Sequence, residues 1–470
     1  MTKKVIALFL ALVMLVAVSA GCGQSAAPGD GSASSAASAA PAASGSTPAS
    51  ADGRTHIVFY HWTPPAEMEK MQKTFNEMQD KIYLDYRPIP DSPDAMMKLN
   101  TMLMAGEQMD VTSQWSPDHL LLRVNNDLYE PLDSYLEKAG INYTETFGPA
   151  IEEIVTINDK LWSMPYAYKS YAVTYNKAIF DKMGVEYPKE GWTWNDFRDK
   201  AKAVASGEGA DRVYGHCALA SDLWYQLALY QIGPNAMYKN EKETNFDDPR
   251  MLESLKFFYD MQEKDKSLKP QSEMAELGLD SQVNRTSYFY KGGFAMDIVP
   301  TFCVANWGKL PENAHDFEVG CVAMPRISAS DPQKSHLQFS DLSLVKASKH
   351  KDEAFEFMKF YCVDRPDVAA AEKSMQPPAP ITDPKIAEIV DQKVYSCPTF
   401  NTDEVRRAFQ YPGQTLVPDW TFTTITSAKN ELIDLTKQEI LKVFLNEQTP
   451  EQALKTLKTQ GDALIAKAAK

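Results

Sequence analysis

The sequence predicts an α/β fold, and three observations carry that prediction. Short runs rich in β-branched and aromatic residues recur from Arg54 onward. Stretches with apolar residues at helical spacing separate them. The order strand–helix–strand–helix–strand then requires right-handed crossovers and a parallel sheet.

In chain order, "HIVFYHW" reads as the first strand, and "PAEMEKMQKTFNEMQDK" as a helix with Met68, Met71, Phe75 and Met78 on one stripe. Such a stripe is expected to be core. "IYLDYRPI" is a second strand, "DAMMKLNTMLMAGEQ" a helix that stops near Gly106, and "MDVTSQW" a short third strand. The stretch "MPYAYKSYAVTYNK", residues 164–177, reads as extended chain. As a strand it puts Tyr166 and Tyr168 on one face, and Lys169, Tyr171 and Tyr175 on the other. That pattern suits a packed strand crossing, a binding cleft, or both. Beyond residue 178 helices dominate. "TWNDFRDKAKAVAS" opens on Thr193 as N-cap, and the C-terminal stretch reads as two helices split at Thr449–Pro450.

The N-terminus has the form of a processing signal. "MTKK" is positive and is followed by a 16-residue apolar run, short for a membrane span, and then by "SAGC" ending at Cys22. This resembles a bacterial lipoprotein box, which implies a signal peptide over 1–21 and lipidation of Cys22, with Ser19 where an apolar residue is usual. Ordinary secretory cleavage near Ala20 is the alternative. Residues 22–53 are Cys22 and a tract dominated by Ala, Ser, Gly and Pro, expected to be a disordered tether spanning on the order of 30 Å. Stable anchoring would need more than one acyl chain.

Formal charge is −15. This argues against nucleic acid as a partner, since that affinity rests on Lys and Arg neutralising phosphates. Five cysteines follow Cys22 at wide spacings without a CxxC pair, so buried free thiols are expected over a disulfide framework. The chain has no GxSxG, HExxH, Walker or GxGxxG motif, and no metal-ligand cluster accompanies His56 and His61. The expectation is therefore no enzyme, no cofactor and no metal. Motif search leaves open a glycosidase whose two carboxylates come from distant strands. The remaining signal is aromatic: Trp62, Trp115, Tyr166, Tyr168, Trp224, Trp307 and Trp420 lie near expected strand ends or loops. Open α/β sheets bind ligands beyond the carboxyl ends of their strands, and rings there suit the C–H faces of a sugar.

A series of segments, in order, carries a resemblance. It runs through "GEQMDVTSQW", "NNDLYEPLDSYL", "LWSMPYAYKSYAVTYNKAIFDKMGVEYPKEGWTWNDFRDKAKAV", "FYKGGFAM", "FEVGCVAMPRI", "SKHKDEAFEFMKF" and "NEQTPEQAL". The chain resembles the extracellular solute-binding proteins of ABC importers, the family that includes maltose-binding protein, over residues 55–466. The resemblance implies a two-lobe clamshell, with hinge crossings near Pro165–Lys169, Met324–Arg326 and Met375–Pro380. The N-terminal lobe would be 54–165 plus 326–376, and the C-terminal lobe 166–325 plus 377–470. It implies capture of a solute, a carbohydrate and possibly an acidic one, by a monomer on the outer face of the cell membrane, and delivery to the permease. Carried over residue by residue, it nominates Trp115 and Asp118 at a strand end, Lys169 where maltose-binding protein has an acid, and Trp224 in a cleft-lining segment. It also nominates Asp297, Phe302 and Trp307 after "FAM", and Asp341 in "QFSDLSL". Trp62, Tyr166, Tyr168 and Trp420 complete the expected ligand-facing set. Polyamines, phosphate esters and a sensor role remain open.

Overall fold

A computed structural model describes residues 52–469, apart from 63, 64, 91, 115 and 374. The segment with the signal, Cys22 and nearly all of the tether lies outside the described residues, as does Trp115.

Two sheets organise the body. In the six-stranded sheet Thr55–His61 lies between Ile82–Pro88 and Val111–Gln114 and pairs in parallel with both. The parallel pattern read from the sequence ends there. Lys334–Leu344 joins antiparallel to Val111–Gln114, and Met164–Lys169 pairs antiparallel with the same long strand. The sheet is therefore mixed. Thr415–Pro418, from the segment expected to belong to the C-terminal lobe, extends it by pairing with Lys334–Leu337. The four-stranded sheet runs Val319–Ala323, Tyr171–Asn176, Phe294–Pro300, Tyr214–His216.

Each sheet has its own core. Ile57, Phe59, Leu84 and Leu99 are fully buried around the first, with Met68, Met71 and Phe75 packed onto it. Met78, the last residue of helix Pro65–Met78, escapes the stripe and is exposed. Trp194, Phe197, Phe258 and Trp224 fill the core beside the second sheet. Thr193 caps helix Trp194–Val204 through a reciprocal bond with Asp196, and Thr449 does the same for helix Pro450–Ala468 with Gln452. The five described cysteines are free and buried.

The chain changes sheet at Ser170, because Met164–Lys169 lies wholly in the first sheet and Tyr171–Asn176 in the second. This crossing is pinned from a distant segment. Gln376 exchanges two 2.8 Å backbone bonds with Tyr168, and its Oε1 accepts from both the amide and hydroxyl of Ser170 at 2.8 Å. The return passes through 324–333, where Gln333 Nε2 donates to the Met324 carbonyl and Ser335 brackets the backbone of Tyr171. Paired extended segments of this kind can absorb a rotation without breaking a core on either side.

Candidate functional site

A cleft in two joined compartments runs alongside these crossings. The first, about 470 Å³, is lined by Trp62, Ser116, Asp118 and Met375, by Lys169 and 338–340, and by Thr421, Phe422 and Lys429. The second, about 820 Å³, is lined by Tyr171, Asp222, Tyr225, Gln226, Arg285, Asp297, His336, Asp419 and Trp420, among others. Gln338, Thr421, Asn430 and Ile433 belong to both walls.

Strand order places the first compartment. Trp62 directly follows strand Thr55–His61. Ser116 and Asp118 follow strand Val111–Gln114, with Ser116 capping helix Pro117–Asn125. Both lie at carboxyl ends of parallel strands, where such sheets leave room for ligands. Asp118 accepts two 2.9 Å bonds from Lys429 Nζ, so an ion pair spans the compartment. Lys429 opens helix Lys429–Phe444, and its ammonium also donates to the Thr421 carbonyl. The residue before it, Ala428, has a left-handed backbone, φ 53°. For a residue with a Cβ that costs roughly 1–2 kcal/mol, and it sets the entry angle that aims Lys429 at Asp118.

Lys169 lines the first compartment. Its ammonium lies 5.3 Å from the centre of the Phe302 ring, and among the described residues it has no hydrogen bond or ion pair. Burial lowers its pKa, opposed by the charge of Asp419. Asp419 is committed elsewhere. It accepts from Tyr225 Oη at 3.0 Å and from the amide and hydroxyl of Thr421 at 3.0 and 2.8 Å.

The second compartment is unusual in its incomplete bonding. Asp297 Oδ2, Gln226 Oε1 and His336 Nε2 are buried and have no hydrogen-bond partner among the described residues. Burial pushes the Asp297 carboxyl up to about 7 against the pull of Arg285, and pushes His336 down to about 4, so that imidazole is neutral at pH 7. Arg285 pairs with Asp222 at 3.0 Å. Burial raises the pKa of Asp222, opposed by that guanidinium. Orphaned buried polar atoms cost about 1–3 kcal/mol each. Asp297, Gln226 and His336 all belong to the wall of the second compartment. Among the described residues no cluster of His, Cys, Asp or Glu is arranged to hold a metal.

A family model described as bacterial extracellular solute-binding protein matches residues 61–362. The chain belongs to that family. This solute-binding protein is 22% identical to a Brucella abortus binding protein, over 89% of this chain and 95% of that one. It superposes on the Listeria monocytogenes ABC substrate-binding protein solved in complex with cycloalternan (TM-score 0.65, 21% identity, 87% of this chain and 98% of that one). It also superposes on the sugar-binding protein MalE of Xanthomonas citri (TM-score 0.70, 18% identity, 88% and 98%). Both are similar in fold, as two-lobe proteins.

In this solute-binding protein Trp62, Asp118, Lys169, Asp297 and Trp420 line the cleft. Trp420 meets Tyr225 edge-on at 5.7 Å. Phe302 lies under Lys169 and supports Trp307 at 4.9 Å, and Trp307 does not reach either compartment. Tyr166, Trp224 and Asp341 also sit away from the cleft. Tyr166 is buried between His61 and Tyr361, on the opposite face of its strand from Lys169. Trp224 is fully buried beside Phe246. Asp341 lies inside the larger sheet, bonded to Gln114 at 3.1 Å. Tyr168 packs at the crossing against Gln376 and lines neither compartment.

Sequence reasoning passed over Asp222, Gln226, Arg285, Asp419 and Lys429. In "SDLWYQ" it fixed on Trp224. Yet Asp222 and Gln226 are four apart, on one helical face, and the Gln226 amide bonds the Asp222 carbonyl at 2.8 Å. Trp224, two positions along, faces the core. That spacing was available as a signal; the pairing of Lys429 with Asp118, 311 residues away, was not.

Proposed function

We propose that the protein captures a carbohydrate outside the cell, holds it in the two-compartment cleft, and delivers it to the transmembrane subunits of an ABC permease. The observation that carries this reading is the composition of the cleft. Rings (Trp62, Phe422, Trp420, Tyr225) sit beside partnerless acceptors (Asp297 Oδ2, Gln226 Oε1), the pairing of apolar faces with placed polar atoms that a polyhydroxylated ring needs. Asp118 and Trp62 face the ligand from one lobe, and Asp222, Asp297 and Trp420 from the other. The lobes, 54–165 plus 326–376 and 166–325 plus 377–470 with the changeover near Ser170, close about the crossings. A ligand bridging both lobes must bind the closed state better than the open one, and that difference drives the closure. The protein does no catalysis in this reading. Cys22, lipidated, tethers a monomeric body to the outer face of the membrane.

The test is thermal unfolding of the full chain against neutral oligosaccharides, uronates, polyamines and phosphate esters, because a ligand of the native state raises its apparent stability by mass action. At least one carbohydrate is expected to raise the melting temperature in proportion to the logarithm of its concentration. A rise with polyamines or phosphate esters and none with any carbohydrate would overturn the reading.

A further inference from the structure

Buried cations in this protein have partners. Lys269 meets Glu273 at 2.9 Å, Arg285 meets Asp222 at 3.0 Å and Lys429 meets Asp118 at 2.9 Å. Lys169, half-buried at the cleft wall, departs from this pattern: it faces the first compartment with only an aromatic ring beside its ammonium. The neighbouring acids are occupied, Asp118 by Lys429, and Asp419 by Tyr225 and Thr421.

We propose that Lys169 is an anion-recognition residue and that the captured carbohydrate is acidic, its anionic group bonded to the Lys169 ammonium while its hydroxyls satisfy Asp297 and Gln226. An ammonium offers three donors and accepts nothing. A neutral hydroxyl would accept one bond and leave the charge uncompensated, whereas a carboxylate or phosphate oxygen compensates it and forms the shorter, stronger charge-assisted bond. Phe302 holds the ammonium by its π face without consuming a donor. Trp62, in the same compartment, offers a face for the ring that carries the anion. Lys169 and Asp297 line different compartments that share Gln338 and Asn430, so one ligand meeting both extends through the shared wall. Burial lowers the lysine pKa, opposed by the charge of Asp419.

The inference rests on the carbohydrate reading, and the experiment separates the two. The full chain, its Lys169→Met and Lys169→Gln variants and its Lys169→Arg variant are titrated calorimetrically. The probes are oligomers of galacturonate, guluronate and mannuronate, their methyl esters, maltotriose, glucose and glucose 1-phosphate. One uronate oligomer is expected to bind at least about tenfold tighter than its own ester. Lys169→Met and Lys169→Gln should remove that margin while the ester's affinity stays within about twofold, and Lys169→Arg should keep most of it. A margin of glucose 1-phosphate over glucose that depends on Lys169 would identify the anion as phosphate. Esters or maltotriose binding as tightly as the acids, or a margin that survives Lys169→Met, would overturn the inference and leave the carbohydrate reading standing. Absence of binding by every carbohydrate would overturn both.

Discussion

Asp297 and Asp341 place the same chemical group in two regions of the molecule. Both are almost fully buried, and burial pushes both carboxyls up to about 7. Around Asp341 the protein supplies hydrogen-bonding side chains of its own. Gln114 Nε2 donates to it and to Ser343 Oγ, while Gln114 Oε1 accepts from Tyr129 Oη at 3.0 Å and Arg123 Nη1 at 3.3 Å. Arg123 in turn reaches Asn100 at 2.8 Å. Around Asp297, Oδ2 has no hydrogen-bond partner among the described residues and the carboxyl lines the cleft. A raised pKa therefore marks burial in both places. What separates the structural acid from the cleft-lining one is whether the protein itself completes the bonding.

The sharpest way to break this comparison is at Arg123. Arg123→Ala should cost about 3 kcal/mol or more, because it leaves several buried partners of a charged donor unpaired. Denaturant unfolding measures that loss, and ligand affinity of the folded fraction should stay within about twofold. A parallel fall in affinity would mean that this network serves the site after all.

The pH dependence sharpens it next. Each carboxyl has a folded pKa of about 7 against an ordinary 3.8, so the folded state keeps a proton that the unfolded chain releases. That favours the fold below about pH 4 relative to higher pH. Stability is lost as pH rises toward 7 and is level beyond it, at a limiting slope of about 1.4 kcal/mol per pH unit for each group. Asp341→Asn and Asp297→Asn should each flatten part of this decline. Saturating ligand should change only the part that Asp297→Asn removes. A ligand that alters both contributions equally would erase the distinction.

A smaller effect is expected at the ion pair across the first compartment. Asp118 keeps 31% of its side-chain exposure, so solvent discounts the pair with Lys429. Lys429→Met should cost no more than about 1 kcal/mol in unfolding free energy. Small-angle scattering should nevertheless show a more extended ligand-free protein, since the pair joins the two walls of the cleft. An unchanged radius of gyration would show that it does not hold them together.

Much of the fold was legible because its signals are local. The stripe of Met68, Met71 and Phe75 and the caps at Thr193 and Thr449 each depend on residues a few positions apart. The antiparallel entry of Lys334–Leu344 beside Val111–Gln114 depends on pairing across about 230 residues, and no local pattern encodes it. The site was legible where a residue type stands out at a strand end, as with Trp62, Asp118 and Lys169. It was misjudged where ring content was taken for exposure: Tyr166 and Trp224 bury whole rings because a core accepts them more readily than a cleft does. Arg285 and Asp419 carry no sequence signal beyond being charged, and their meaning comes from what separated segments bring together.

The central claim is that a carbohydrate is held between the walls marked by Trp62 and Asp297. Calorimetric titration of the full chain with the oligosaccharide that most raises its melting temperature tests this most directly. The account predicts one-to-one binding that Trp62→Ala and Asp297→Ala each weaken by about tenfold or more, without a matching loss of stability. Binding that both substitutions leave intact would place the sugar elsewhere and contradict it.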